Sequence, residues 1–337
     1  FGGEKFDDPN KPLTPCGLAA DECNSDDVSS GGSFVLYIAE RSTERHVLPR
    51  ISRVCVRHDG SIVAKTRKVF GNDPRLQDPQ EIKLCTHKRE QLGNDFHWPT
   101  LGGGGSREAD REPEQTRLLV SDTTLHTVLV FDAVTLTLIC AIGDGAGAGW
   151  GGLVGGPPLD TPFGLAAHAQ EVFIAEQGAH HISVYTSDRK AAAAALAANG
   201  DEDTSTTVGE YTRVRVLGGK GTIAGQFRRP RGLSIVHDEG RPLLIVAEAK
   251  RVQVIQLTGE PLQVIEPNER VGTLWGVSTS VDGATVYITD GTSLHVYAAW
   301  RRARELAEST MQEELIERKR HAAQARFSTE WTPPACA

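Results

Sequence analysis

Short runs of alternating apolar and polar residues recur along most of this chain, and five of them close on a small residue followed by an acid. They are "LYIAE" ending at Glu40, "LLVSD" at Asp122, "VFIAE" at Glu176, "LIVAE" at Glu248 and "VYITD" at Asp290. After each acid come a polar turn and another β-branched run: "ISRVCV", "TVLVFD", "HISVYT", "RVQVIQL" and "LHVYAA". A period of two with β-branched enrichment predicts strands. Ahead of each pair stands a further run, in most cases opening on proline and glycine: "TPCGLAAD" at 14–21, "HWPTLGGG" at 97–104, "TPFGLAAH" at 161–168, "RPRGLSIV" at 229–236 and "LWGVSTSV" at 274–281. In several units a fourth run closes on an apolar residue and glycine, at Phe70-Gly71, Ile142-Gly143 and Leu217-Gly218, and "FGG" at Phe1–Gly3 reads as the tail of one more.

Four antiparallel strands joined by tight turns make a sheet that cannot bury both of its own faces. Copies of it must stack around an axis, which also limits exposed edges. The pattern therefore predicts an all-β fold, a β-propeller with five visible units. Three possibilities stay open: a truncated first blade, a degenerate sixth unit within 71–96, or a ring of five. Proline suits the start of the innermost strand, where backbone donors can be spared, and glycine permits close approach near the crowded axis.

Because the strands alternate in direction, first-to-second and third-to-fourth connections share one face of the disc. Second-to-third turns and inter-blade linkers share the other. The segments 21–32, 103–116 and 187–209, the last with its "AAAAALAANGDEDTSTT" run, fall on the first face, and the alanines predict a short helix. The linkers 71–96 and 143–160 fall on the second. The propeller is expected over 1–299, followed by a charged helix over 300–327, free of glycine and proline, and an extended tail over 328–337.

The unit "GKGTIAGQFRRPRGLSIVHDEGRPLLIVAEAKRVQVIQLTG" closely resembles the NHL repeat, and "PFGLAAH…VFIAEQGAHHISVY" matches it nearly as well. The resemblance covers roughly residues 1–298 and is strongest at 157–265. It implies a propeller of the NHL type, usually six-bladed. Some members are lyases with metal-binding histidines around the axis, one of them directly after the strand-starting proline. Here those units read Pro162-Phe163-Gly164 and Pro230-Arg231-Gly232, without histidine. Other members bind RNA on the linker face.

Charge and chemistry narrow the picture. The net charge of −8 opposes an extended nucleic-acid surface but leaves room for a local patch. Six cysteines lack any CxxC pair, which argues against a zinc module and a disulfide framework. They read as free thiols, favouring a reducing intracellular compartment, with organelle import after loss of a targeting segment left open. No apolar run of about 18 residues offers a membrane span. The glycines of "GDGAGAGWGGLVGGPP" lead into proline and a strand rather than a helix N-terminus, so they read as a linker, not a phosphate cradle.

Eleven histidines raise a metal reading. His46, His126, His180, His181 and His295 all precede third strands, yet in separate blades, whereas one zinc needs its ligands within about 2.1 Å. No metal and no cofactor is expected, and neither a nucleophile elbow nor an H-E-x-x-H helix appears. The most basic local patch joins Lys220, Arg228, Arg229 and Arg231 with Lys250 and Arg251 on the linker face, suited to an acidic protein surface or a phosphate backbone. These observations lead to the expectation of a non-enzymatic scaffold for protein–protein interaction, a subunit of a larger assembly that also uses its insertions and C-terminal helix. A lyase or hydrolase acting at the axial channel is the first alternative, an RNA-binding NHL domain the second.

Overall fold

The computed structural model describes residues 13–22, 33–42, 48–57, 61–62, 68–71, 76–87, 115–143, 154–155, 159–198, 210–238, 240–267, 271–280 and 282–298. The expected helix at 300–327, the tail at 328–337, "FGG" at 1–3 and His46 lie outside these residues, as do 97–104.

Five antiparallel sheets follow one another along the chain. Blade 1 holds β1 (Thr14–Glu22), β2 (Ser33–Arg41), β3 (Arg50–Arg57) and β4 (Lys68–Gly71). Blade 2 holds β5 (Pro79–His87), β6 (Gln115–Asp122), β7 (Thr127–Asp132) and β8 (Leu138–Ile142), with β9 (Val154–Gly155) added in parallel beside β8. In blade 3, β10 (Pro162–His168), β11 (Glu171–Glu176), β12 (His181–Thr186) and β13 (Thr212–Leu217) pair in order. Blade 4 repeats this with β14 (Leu233–Asp238), β15 (Arg241–Ala247), β16 (Val252–Gln256) and β17 (Pro261–Ile265). Blade 5 has three strands among the described residues, β18 (Val277–Thr279), β19 (Thr285–Thr289) and β20 (Leu294–Ala298). The fold is an all-β propeller arrangement, and the one helix among the described residues is α1 (Arg189–Ala198) in the alanine-rich insert. Asp188 caps it, its carboxylate accepting from the Lys190 and Ala191 amides at 2.8 and 3.0 Å.

The repeat carries its irregularities at fixed places. The inner strands of blades 1, 2 and 3 shift register just after their prolines, at Pro15/Gly17, Pro79/Glu81 and Pro162/Leu165. Third strands bulge against fourth strands at Val130/Phe131, Val184/Tyr185 and Val254/Ile255. Such bulges twist a sheet locally, which radial stacking requires.

Each inter-blade seam is a separate apolar core. Tyr37 and Ile51 of blade 1 meet Leu118 and Leu129 of blade 2; Leu119 and Val130 meet Ile174 and Tyr185 of blade 3. Phe173 and Val184 meet Leu244 and Phe227, and Ile245 and Val254 meet Val286 and Ile288 of blade 5. The outward faces of the first and last blades are left open among the described residues: Leu18 is 62% exposed, and Leu294 and Val296 are 61% and 58% exposed.

One sequence expectation is corrected. The second unit starts at Pro79, inside the segment read as a linker or a sixth unit (71–96), and not at "HWPTLGGG". Glu81 occupies the place that glycine takes in the other units, so the proline-glycine signature was absent where the strand begins, and the glycines at 102–105 imitated it. The first-to-second connection of this blade therefore runs from 88 to 114 and contains most of the expected insertion at 103–116.

Candidate partner-binding face

The face that carries linkers and second-to-third turns is tied together by the acids that end the second strands. Glu176 accepts the Asp160 amide at 2.7 Å and also bonds His181 and Ser183. Glu248 accepts the Arg228 amide at 2.6 Å, Gln253 and Arg251. Asp122 takes the Gln77 and Asp78 amides at 2.7 and 2.9 Å on one oxygen and the Thr124 and Leu125 amides on the other. In blade 5, Asp290 does the same with Gly272, Thr292, Ser293 and His295. Each carboxylate thus closes its own turn and anchors its own blade's incoming linker.

The histidines of this face serve the same purpose. His126 and His180, both with positive φ (55° and 61°), accept amides from the next blade's linker, Thr161 at 3.3 Å and Arg229 at 3.1 Å. His181 and His295 bond the carboxylates of their own turns. His168 and His237, at the far ends of inner strands, lie ring to ring at 5.5 Å. No group of three His, Cys, Asp or Glu side chains able to hold a metal forms among the described residues.

The six basic residues singled out from the sequence divide into two sets. Arg251 is absorbed by the fold: it pairs with Glu248 at 2.9 Å and donates to the carbonyls of Thr222 and Gln226. Arg231 is nearly buried, 9% exposed, with its guanidinium 3.9 Å from the Trp275 ring centroid. Lys220, Arg228, Arg229 and Lys250 are exposed, and Lys250 reaches the Val271 carbonyl at 3.4 Å. No carboxylate pairs with Lys220, Arg228 or Arg229 among the described residues.

The local field registers on His180. Burial lowers its pKa from the ordinary 6.5, and Lys220 and Arg229 lower it further; Asp160 opposes them, and Arg228 adds a smaller lowering. Three cations thus act on one imidazole and together with burial oppose its protonation more than Asp160 favours it. His180 was visible in the sequence only as a turn residue; its place beneath the cations depends on the next blade's linker folding back over it.

Cys16, Cys55, Cys85 and Cys140 are in no disulfide and are buried or half-buried. Burial pushes Cys16 and Cys140 up to about 12, far from the thiolate form. No helix among the described residues is long and apolar enough to cross a membrane.

No protein-family model and no curated protein matches the chain. Among solved structures, the crystal structure of a nidogen/laminin complex contains a chain aligned over 85% of this one and 76% of its own length, at 15% identity and a TM-score of 0.43.

Proposed function

We propose that this chain is an NHL-type propeller without enzymatic activity that holds other proteins together, and that its linker face, through Lys220, Arg228, Arg229 and Lys250, is a partner-binding surface. The observation that carries this reading is the division of labour on that face. Most of the acids and histidines are consumed in tying linkers to turns, while a cluster of cations close enough to depress His180 faces solvent with no ion pair to a carboxylate among the described residues, Asp160 being the acid that opposes their field at His180. A stiff disc whose turn carboxylates are internally bonded presents such a cluster at little conformational cost. The chain's net charge of −8 confines its attraction for acidic surfaces to this patch, which favours a defined protein contact over non-specific adsorption to nucleic acid.

The repeat type is supported by the NHL-like unit at 219–259, in which Phe227 packs in the seam between blades 3 and 4 and Glu248 ties the incoming linker to its turn. The test of function is native fractionation of a cell extract containing the full chain, with and without ribonuclease, beside the Arg228→Glu/Arg229→Glu variant. Elution in a large assembly that survives ribonuclease and is lost in the variant is the expected result. Recovery of the wild type as a lone monomer in every fractionation overturns the reading, and loss of the assembly on ribonuclease treatment shifts it to RNA.

A further inference from the structure

Phe163, Arg231 and Trp275 occupy the same position in three successive blades, the residue just before the inner-strand glycine. Phe163 belongs to blade 3 and Trp275 leads into blade 5, yet their ring centroids are 5.8 Å apart, so the two rings meet beside the start of the intervening blade. The Arg231 guanidinium stacks on Trp275, its Cζ 3.9 Å from the ring centroid. The Arg231 Nη1 donates to the Leu274 carbonyl at 3.1 Å, while Nε is buried with no partner and no carboxylate pairs with the side chain among the described residues. Burial, then the charge of Arg229, lowers its pKa, as expected for a cation held without compensation.

An arginine this buried is ordinarily matched by an acid. Here one face of the guanidinium is taken by indole and one N–H by a carbonyl, which leaves the Nε–Nη2 edge. Two parallel N–H groups on that edge fit the two oxygens of a carboxylate, and aromatic walls that exclude water strengthen such a pair. Trp275 is 41% exposed, so the cluster borders solvent on that side.

We propose that this axial cluster is a carboxylate-binding site, which takes an Asp or Glu side chain of an acidic partner segment on the free edge of Arg231, beside Trp275. The proposal rests on the reading of the linker face as partner-binding. A segment, rather than a lone anion, is favoured because Arg229, close enough to perturb Arg231, continues the positive field outward to Lys220 and Arg228.

The test uses the full chain labelled with ¹⁵N-arginine, titrated with end-blocked hexa-glutamate and separately with inorganic phosphate while the Arg231 Nε–H resonance is followed. The expected result is a shift of that resonance by the peptide at concentrations where phosphate leaves it unmoved. Arg231→Gln and Arg231→Lys should each weaken the peptide by at least about tenfold, lysine failing because it has no planar fork. An equal response to phosphate identifies a free-anion site and overturns the proposal. Peptide binding lost in Arg228→Glu/Arg229→Glu but intact in Arg231→Gln overturns the axial site and leaves the face standing; absence of any peptide binding counts against both. The wild-type resonance shift needs no variant, so it decides the question even where Arg231→Gln folds poorly.

Discussion

Gly164 of blade 3 lies so close to Arg231 that a methyl group on it would overlap the Arg231 carbonyl and come within 2.9 Å of the Leu233 amide nitrogen. Gly17 stands in the same relation to Ile82, at 2.8 Å from its amide nitrogen, and Gly232 to Val277, at 2.7 Å. Inner strands of neighbouring blades therefore touch backbone to backbone. Gly164→Ala and Gly232→Ala are expected to destabilise by about 2–3 kcal/mol each, through forced separation of the blades. Gly219→Ala, with nothing within 4 Å, should stay within about 0.5 kcal/mol. Urea denaturation midpoints check the contrast.

Glu176, 2% exposed, joins the Asp160 amide, His181 and Ser183. Burial alone would raise its pKa, but hydrogen bonds from these three groups outweigh it and hold the carboxyl below the ordinary 4.5. Glu176→Ala should cost about 3 kcal/mol near neutral pH. The sign of the pH dependence follows from the lowered value: the contribution is complete above pH 4.5 and is lost as pH falls through the folded pKa. Stability curves of wild type and variant, measured by urea denaturation across the acid range, should converge there.

Glu81 behaves in the opposite sense. Burial pushes its carboxyl up to about 8, against the smaller lowering effects of Lys83 and the Leu165 amide. The folded chain keeps this proton where the unfolded chain has released it, so stability should fall as pH rises from 4.5 to about 8. The slope is at most about 1.4 kcal/mol per pH unit, reduced by the residue's residual exposure. Glu81→Gln should flatten this limb and be more stable than wild type above neutral pH, as thermal unfolding at a series of pH values would show.

His180 reports the charge of the linker face directly. Its imidazole should titrate below 6.5 by NMR, because burial and then Lys220 and Arg229 oppose its protonation. In Lys220→Glu/Arg229→Glu the midpoint should rise relative to wild type, with the lowering by burial remaining. Since the folded value is depressed in the wild type, that chain should lose stability as pH falls below 6.5, and the variant should lose less.

How far the fold was legible depended on whether function and geometry wrote the same residue. The "AE", "SD" and "TD" endings located all five second strands, because at Asp122, Glu176, Glu248 and Asp290 the acid anchors a turn and a linker at once, and Glu40 bonds Arg50 and Ser52 of the following strand. Inner strands were legible where their glycine was required for contact, as at Gly17, Gly164 and Gly232, and missed at Glu81, where a side chain has replaced it and Ser121 supports the strand by accepting the Glu81 amide at 3.1 Å. The basic patch was visible as composition, but its division was not. Arg251 and Arg228 look alike in sequence, and only the path of the linker shows that the first feeds carbonyls while the second faces water. The Phe163–Arg231–Trp275 cluster draws on residues more than a hundred positions apart, which share nothing local except their place before an inner-strand glycine.

The most direct measurement of the central claim is amine cross-linking of the native assembly followed by mass spectrometry. Lys220 and Lys250 are exposed on the linker face, and Lys190 is exposed on α1 on the opposite face. The account predicts intermolecular cross-links at Lys220 and Lys250 that disappear in Arg228→Glu/Arg229→Glu. Cross-links to another polypeptide confined to Lys190, with Lys220 and Lys250 unlinked, would contradict it.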